Sequence, residues 1–349
     1  MIGALSTSGM TGTTGMTATP AQAPSHVVLV RPHHFHPNAQ TAADNAFQRR
    51  LVAPDADTAR RAREEVGGLA TALERAGVAV SLFEDEGIST PDSVFPNNWL
   101  STHADGTLAL YPMYAANRRA ERRDDIVQHL RTHFTVRRVA DWSAAEREGR
   151  FLEGTGAMVL DHLAHVAYAC RSRRLDDGLF AEVCTDLGYD PVLFDATDAR
   201  GVPVYHTNVL MSVGTEVALV GTGMIRDHAQ RGMVLDRLRA SGRKIVELTE
   251  SQVQGFLGNC LEVTGHAGTA DEERLLVMST RAAGHLSPAQ RDRIELSCRI
   301  LAVPVPTIEA AGGSVRCMIA GIHLPPQQAA TTLRGLGTRN VGVSAPQRS

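Results

Sequence analysis

The sequence predicts an α/β fold of five repeated blades set in a ring, and three observations lead there. A short pattern recurs: Asn98-Trp99-Leu100-Ser101 resembles Asn208-Val209-Leu210-Met211 and Asn259-Cys260-Leu261-Glu262, with Gly156-Ala157-Met158-Val159 and Arg316-Cys317-Met318-Ile319 as weaker relatives. Starting positions 98, 156, 208, 259 and 316 are 58, 52, 51 and 57 residues apart, a near-constant period of the kind that marks repeat architectures. Each of the first four instances is followed by a second apolar run and a helical segment. The fifth has neither, and matching pieces stand at the opposite end of the chain.

In chain order, Val27-Val28-Leu29-Val30 reads as a strand and the stretch from about Ala56 to Ala76 as a helix. The runs Thr107 to Tyr111, His165 to Cys170, Glu216 to Gly221 and Arg274 to Ser279 are rich in Val, Leu and Ala, bounded by turn residues, and read as strands. Helical segments follow at roughly Asn117–Phe134, Arg174–Leu187, Asp227–Ser241 and Pro288–Val303. The fifth instance, at Cys317, runs only to Leu324-Pro325-Pro326. A ring in which the N-terminal strand closes the last blade explains this arrangement and leaves no open sheet edge. A generic doubly wound α/β sheet is the alternative. No composition shift divides residues 25–330, which read as a single catalytic domain. It lies between a Ser/Thr/Gly/Ala/Met-rich N-terminal tail, 1–24, expected to be disordered, and a C-terminal tail, 331–349.

Composition excludes several classes of function. With 35 basic against 38 acidic residues and a net charge of -3, the chain has no field to attract nucleic acid or a membrane surface. The five cysteines are scattered and lack a CxxC pair, so neither a disulfide framework nor a structural zinc site is expected, and a reducing, cytoplasmic location fits. The first basic residue is Arg31, which argues against a signal or transit peptide. No apolar run is long enough to span a bilayer. The expected partner is a small-molecule substrate, and a homo-oligomer is compatible with the sequence.

A ring of repeats brings equivalent strand ends to one mouth, although they are about fifty residues apart in sequence. The polar residues at those ends are Asp92, Asn97, Asn98, Glu153, His206, Asn208 and Cys317. Cys317 follows Gly312-Gly313-Ser314-Val315-Arg316, a setting that suits exposed backbone and a stabilised thiolate. The other four cysteines read as small core residues. His206, if protonated, would supply positive charge to the thiolate and a proton to a leaving group, although a hydrogen-bonded core histidine is the plainer reading. Glu153 is a carboxylate inside an otherwise apolar strand start; unpaired burial there is costly, so a partner imidazole or a substrate is expected.

Pro91-Asp92-Ser93-Val94-Phe95, Leu152-Glu153-Gly154, His206-Thr207-Asn208 and Gly312-Gly313 with Arg316-Cys317-Met318 resemble, in order, signature stretches of the arginine deiminase, dimethylarginine hydrolase and amidinotransferase superfamily. The chain most resembles its citrulline utilisation hydrolase branch. The resemblance implies a five-bladed α/β propeller, the pentein fold, with Cys317 as nucleophile, His206 as general acid/base and Glu153 as the partner of the imidazole. Asp92 and Phe95 would line the substrate pocket, and no metal or organic cofactor is implied. Deiminases carry carboxylates where this chain has Asn98 and Asn208. Two neutral amides suit a neutral ureido group, which presents one carbonyl and N–H donors, although both could be plain turn residues. The expected activity is therefore hydrolysis of citrulline to ornithine, carbon dioxide and ammonia through an S-carbamoyl cysteine.

Arginine deiminase or dihydrolase activity is the alternative, with amidino transfer behind it. Penteins that resemble ribosome-binding translation factors have no need of a Cys–His–Glu set. Arg31-Pro32-His33-His34-Phe35-His36 reads as a loop rather than a metal site, and Gly221-Thr222-Gly223 lacks a dinucleotide fingerprint. Arg118, Arg119, Arg122 and Arg123 read as a solvated helix face, while Arg226 is a candidate for a substrate carboxylate.

Overall fold

Five three-stranded mixed sheets, all built alike, make up the computed structural model, which describes residues 21–48 and 55–327. The strands are β1 (His26–Pro32), β2 (Ala79–Asp85), β3 (Leu100–Thr102), β4 (Thr107–Leu110), β5 (Arg138–Asp141), β6 (Met158–Asp161), β7 (Val166–Cys170), β8 (Asp190–Phe194), β9 (Met211–Val213), β10 (Val217–Val220), β11 (Lys244–Glu247), β12 (Leu261–Gly265), β13 (Glu273–Ser279), β14 (Arg299–Val303) and β15 (Ala320–Ile322). In each sheet a middle strand pairs antiparallel with an inner strand and parallel with an outer one, as in β3-β4-β5. A helix makes the parallel crossover every time. The fifth sheet has the order β15-β1-β2, with Val28 opposite Ala320, so the N-terminal strand sits beside the strand that follows Cys317.

Burial follows this layering. The middle strands β7 and β10 are buried at every residue, while the outer strands β5 and β11 are exposed at both ends. The helix Asp55–Arg75 turns Ala62, Val66, Leu69 and Leu73, spaced four, three and four apart, onto Val27 and Leu29 of β1. Each such leucine removed from water contributes on the order of 1.5–3 kcal/mol. Other crossover helices start on side-chain caps: Asp176 accepts from the Leu179 amide, and Ser287 forms a capping box with Gln290.

Three expectations need correction. The segment after Pro288 is helical only to Glu295 and continues as strand β14, because Arg299–Val303 pairs parallel with β13. Residues 21–24, assigned to the disordered tail, pack into the body: Gln22 is buried and donates to the carbonyls of Leu160 and Val213. The rest of that tail and the C-terminal one lie outside the described residues. Finally, the structure has five small separate sheets, not a sheet closed on itself.

Units are joined by polar contacts at their inner ends. Thr155 donates to the Asn97 carbonyl (3.2 Å), Thr207 to Ala157 (2.5 Å), Asn259 to Asn208 (2.9 Å), and the Arg316 amide to the Asn259 side chain (3.1 Å). Thr102 of the first unit donates to Gly321 of the fifth (3.1 Å). The motif residues of the repeat are therefore neighbours. Among the described residues, no helix is long and apolar enough to cross a membrane.

Candidate active site

Each candidate side chain sits where a one-turn helix meets an inner strand. Pro96–Asn98 precedes β3, Gly154–Ala157 precedes β6, Thr207–Leu210 precedes β9 and Val315–Met318 precedes β15. Glu153 and His206 stand immediately before two of these turns, so the backbone reverses there and sends both side chains to the shared mouth. Two glycines make that approach possible. Gly154 holds φ +42°, and a Cβ on it would lie 2.6 Å from the Asn97 carbonyl oxygen. A Cβ on Gly156 would lie 2.8 Å from the His206 ring.

His206 Nε2 meets Glu153 Oε2 at 2.8 Å, and both residues are almost wholly buried. Glu153 Oε1 accepts from the Tyr114 amide at 3.0 Å, and Arg174 Nη1 approaches Oε2 at 3.4 Å. Burial alone would raise the Glu153 carboxyl, but Arg174, His206 and Arg118 outweigh it and hold the group well below the usual carboxylate range. An ionised Glu153 fixes the proton on Nε2 and leaves Nδ1 as a free acceptor, making no hydrogen bond among the described residues. Burial pushes His206 down to about 4 despite Glu153, so the imidazole is neutral at rest. This corrects the expectation that a protonated His206 supplies the charge for the thiolate. The resting ring is a base.

Cys317 Sγ is ringed by amides. Asn208 Nδ2 lies at 3.4 Å and Asn259 Nδ2 at 3.2 Å, both oriented as donors. Asn259 was not among the residues singled out by sequence, although the repeat had aligned it with Asn98 and Asn208; the register itself was the signal. The remaining cysteines, Cys170, Cys184, Cys260 and Cys298, are buried with their thiols pushed up to about 12, as unreactive core residues should be.

The narrow pocket above Cys317 and His206 is lined by Asp92, Phe95, Asn98, Arg118 and Arg174 among others. Asn97 lies behind it, fully buried, its Oδ1 accepting from Asn98 at 3.2 Å. Asn98 Oδ1 is already occupied by Arg118 Nη1 at 3.0 Å. Arg118 overturns the solvated-face reading: it is 2% exposed, forms a two-pronged pair with Glu121, and approaches Asp92 (3.6 Å) and Glu153 (3.5 Å). Although burial opposes its charge, Glu121, Asp92 and Glu153 keep it firmly protonated. Arg174, equally buried, pairs with Asp44 (2.8 Å) and stacks over Tyr205 (4.8 Å). Arg226 is absent from this pocket; it lies exposed beside Glu250. The segment around Asn38–Asn45, which the sequence analysis did not single out, covers the site. Asn38 donates to Asp92 Oδ2 (2.8 Å), and Asn45 donates to the Gly312 carbonyl (3.4 Å). His33 pairs with Glu84 away from this mouth.

Residues 31–324 match a family model described as N,N dimethylarginine dimethylhydrolase, eukaryotic. No curated protein matches the sequence. Among solved structures, the chain resembles apo ArgZ, an arginine dihydrolase from the ornithine-ammonia cycle in cyanobacteria, with a TM-score of 0.65 at 16% identity. That match covers 84% of this chain but only 40% of the longer ArgZ chain. The substrate-bound N-terminal domain of ArgZ is covered to 99%, against 86% of this chain, with a TM-score of 0.64 and 16% identity. A dimethylarginine dimethylaminohydrolase adduct with S-methyl-L-thiocitrulline gives 0.55 at 15% identity, covering 85% of this chain and 99% of that one.

Proposed function

The chain belongs to the N,N-dimethylarginine dimethylhydrolase family of the guanidino-modifying pentein superfamily, and from that premise we propose a cysteine hydrolase that converts citrulline to ornithine, carbon dioxide and ammonia. The carrying observation is the shell of Cys317 Sγ: two neutral amides, Asn208 and Asn259, and, among the described residues, no carboxylate in contact. On this reading the ureido carbonyl takes the amide donors, and Asp92, whose Oδ1 makes no hydrogen bond among the described residues, accepts from a ureido N–H. Arg118 and Arg174 are the cations lining the pocket, each already paired with a carboxylate, so a substrate carboxylate would have to share them. The five sheets would be blades of one closed propeller, supported by the hydrogen bonds that join each unit to the next and the fifth to the first.

As sulfur attacks the ureido carbon, the Cys317 proton passes to His206 Nδ1. The carbon–nitrogen bond then breaks as His206 returns that proton to the departing amine, releasing ornithine. Water, deprotonated by the neutral His206, attacks the S-carbamoyl carbon and expels the thiolate; the carbamate decays to carbon dioxide and ammonia. Glu153 stabilises the transient imidazolium in both halves.

Arginine is the second reading, and one observation favours it: even with Glu121 pushed up to about 8 by burial, Asp44, Asp92 and Glu153 outnumber the two guanidinium groups they surround, an excess of negative charge that suits a cationic ligand. Incubation with citrulline, arginine and dimethylarginine in parallel, quantifying ornithine, citrulline and ammonia, separates the readings. Ornithine from citrulline is the expected result. Turnover of arginine with citrulline left untouched would overturn the proposal.

A further inference from the structure

Beneath the nucleophile, on the far side of the inner turns, lies a second cavity of about 40 Å³, walled by the inner strands β3, β6, β9, β12 and β15 together with Gln22. That space is enough for about three waters. Arg316, the residue before Cys317, lines it. Its Nη1 donates to the Ile319 carbonyl at 3.0 Å, and among the described residues no carboxylate pairs with it. Arg316 is half-buried, whereas among the described residues the fully buried guanidinium groups are all paired: Arg118 with Glu121, Arg174 with Asp44, and Arg243 with Asp161. His162 and His323, stacked at 3.8 Å, and Ser212 line the same space, and no Asp or Glu does. A half-buried cation gives up part of its hydration and has no counter-ion here to replace it, so a cavity with such a cation and neutral donors on its wall is chemically an anion site.

We propose that this cavity binds one small singly charged anion, of nitrate or bicarbonate size, on Arg316, and that the bound anion restrains the reactivity of Cys317. The two functions are linked by position: Arg316 and Cys317 share one helical turn and interact electrostatically. Unneutralised, the guanidinium favours the thiolate; an anion on it cancels that help. By reciprocity, thiolate formation disfavours the anion to the same degree. Burial holds Arg316 down to about 10, still charged at neutral pH and ready for the anion.

The inference rests on Cys317 being the reactive thiol, but not on which substrate it serves, so the test uses no substrate. The pH midpoint of Cys317 alkylation by iodoacetamide is measured in gluconate, which is too large for the cavity, and in saturating nitrate at the same ionic strength. The midpoint should rise in nitrate by about one pH unit, the lower end of what one nearby charge contributes. Arg316→Gln should show the raised midpoint in both salts. His323→Leu, which keeps the guanidinium but removes a ring donor, should need more nitrate for the same rise. A midpoint indifferent to nitrate in the unaltered protein overturns the proposal. So does a nitrate effect that persists in Arg316→Gln, since it would place the anion on Arg118 or Arg174 instead. Failure to hydrolyse citrulline would leave all these readings intact and would count only against the substrate assignment.

Discussion

At Cys317 a single atom changes the chemistry. Cys317→Ser is expected to abolish turnover while leaving the melting temperature nearly unchanged, because the hydroxyl fits the same buried space but does not ionise near neutral pH. More than a few per cent residual activity would remove Cys317 from the mechanism. The two asparagines once grouped together should now behave differently. Asn208→Asp sets a carboxylate against Sγ, where nothing compensates it; kcat/KM for citrulline should fall by several kcal/mol, bounded by about 3–5 kcal/mol for an unpaired buried charge. Asn98→Asp lands on Arg118 and should cost citrulline turnover less than Asn208→Asp does. Equal losses would mean that Arg118 does not shield position 98. Much of this site was legible beforehand, because the period of the repeat placed Glu153, His206, Asn208 and Cys317 at one level. Arg118 was hidden by its company: four arginines within six residues look like a solvated face, and only the fold shows one of them turned inward.

The one-turn helices set the precision of the site. Gly156→Ala pushes a methyl group into the His206 ring and the Asn98 amide, and overpacking of this kind costs roughly 1–3 kcal/mol. Because the displaced group is the proposed base, kcat should fall while KM changes little. Asp176→Ala is the control: losing that cap should cost about 0.5–2 kcal/mol of stability without touching kcat. If both variants lose only stability, the Gly156 turn does not position His206. At this scale the sequence revealed the inner and middle strands and the crossover helices, but no outer strand. The reason is visible in Arg138–Asp141 and Lys244–Glu247, where only two apolar residues stand between charged ends. Such half-exposed strands take their identity from the partner that pairs with them, and local pattern carries little trace of it.

Over the whole molecule the buried histidines set the response to acid. Burial holds His103 at about 4, His206 at about 4, His323 at about 3 and His162 well below its ordinary value. The unfolded chain takes up protons on these rings near pH 6.5 while the native one does not, so stability rises with pH across this range and is lost as pH falls from about 6.5 toward 4. His103 and His206, the two fully buried rings held near 4, each contribute on the order of 3 kcal/mol. Melting temperature should therefore fall steeply below pH 6, and a flat profile to pH 4.5 would mean that these rings are already solvated or charged. The pairing of β1 with β15 has a further consequence, one of timing. A chain made from its N-terminus presents β1 first, and β1 can take β2 as a neighbour soon afterwards. Its other edge must wait for the 287 residues between Pro32 and Ala320 to be synthesised, roughly 15–60 s at translation rates of about 5–20 residues per second. Throughout that interval a strand of Val, Val, Leu and Val stands half-paired and adhesive, and the segment that finally covers it is the one that delivers the thiol. The nascent protein thus acquires its proposed nucleophile and loses its stickiest edge in the same event.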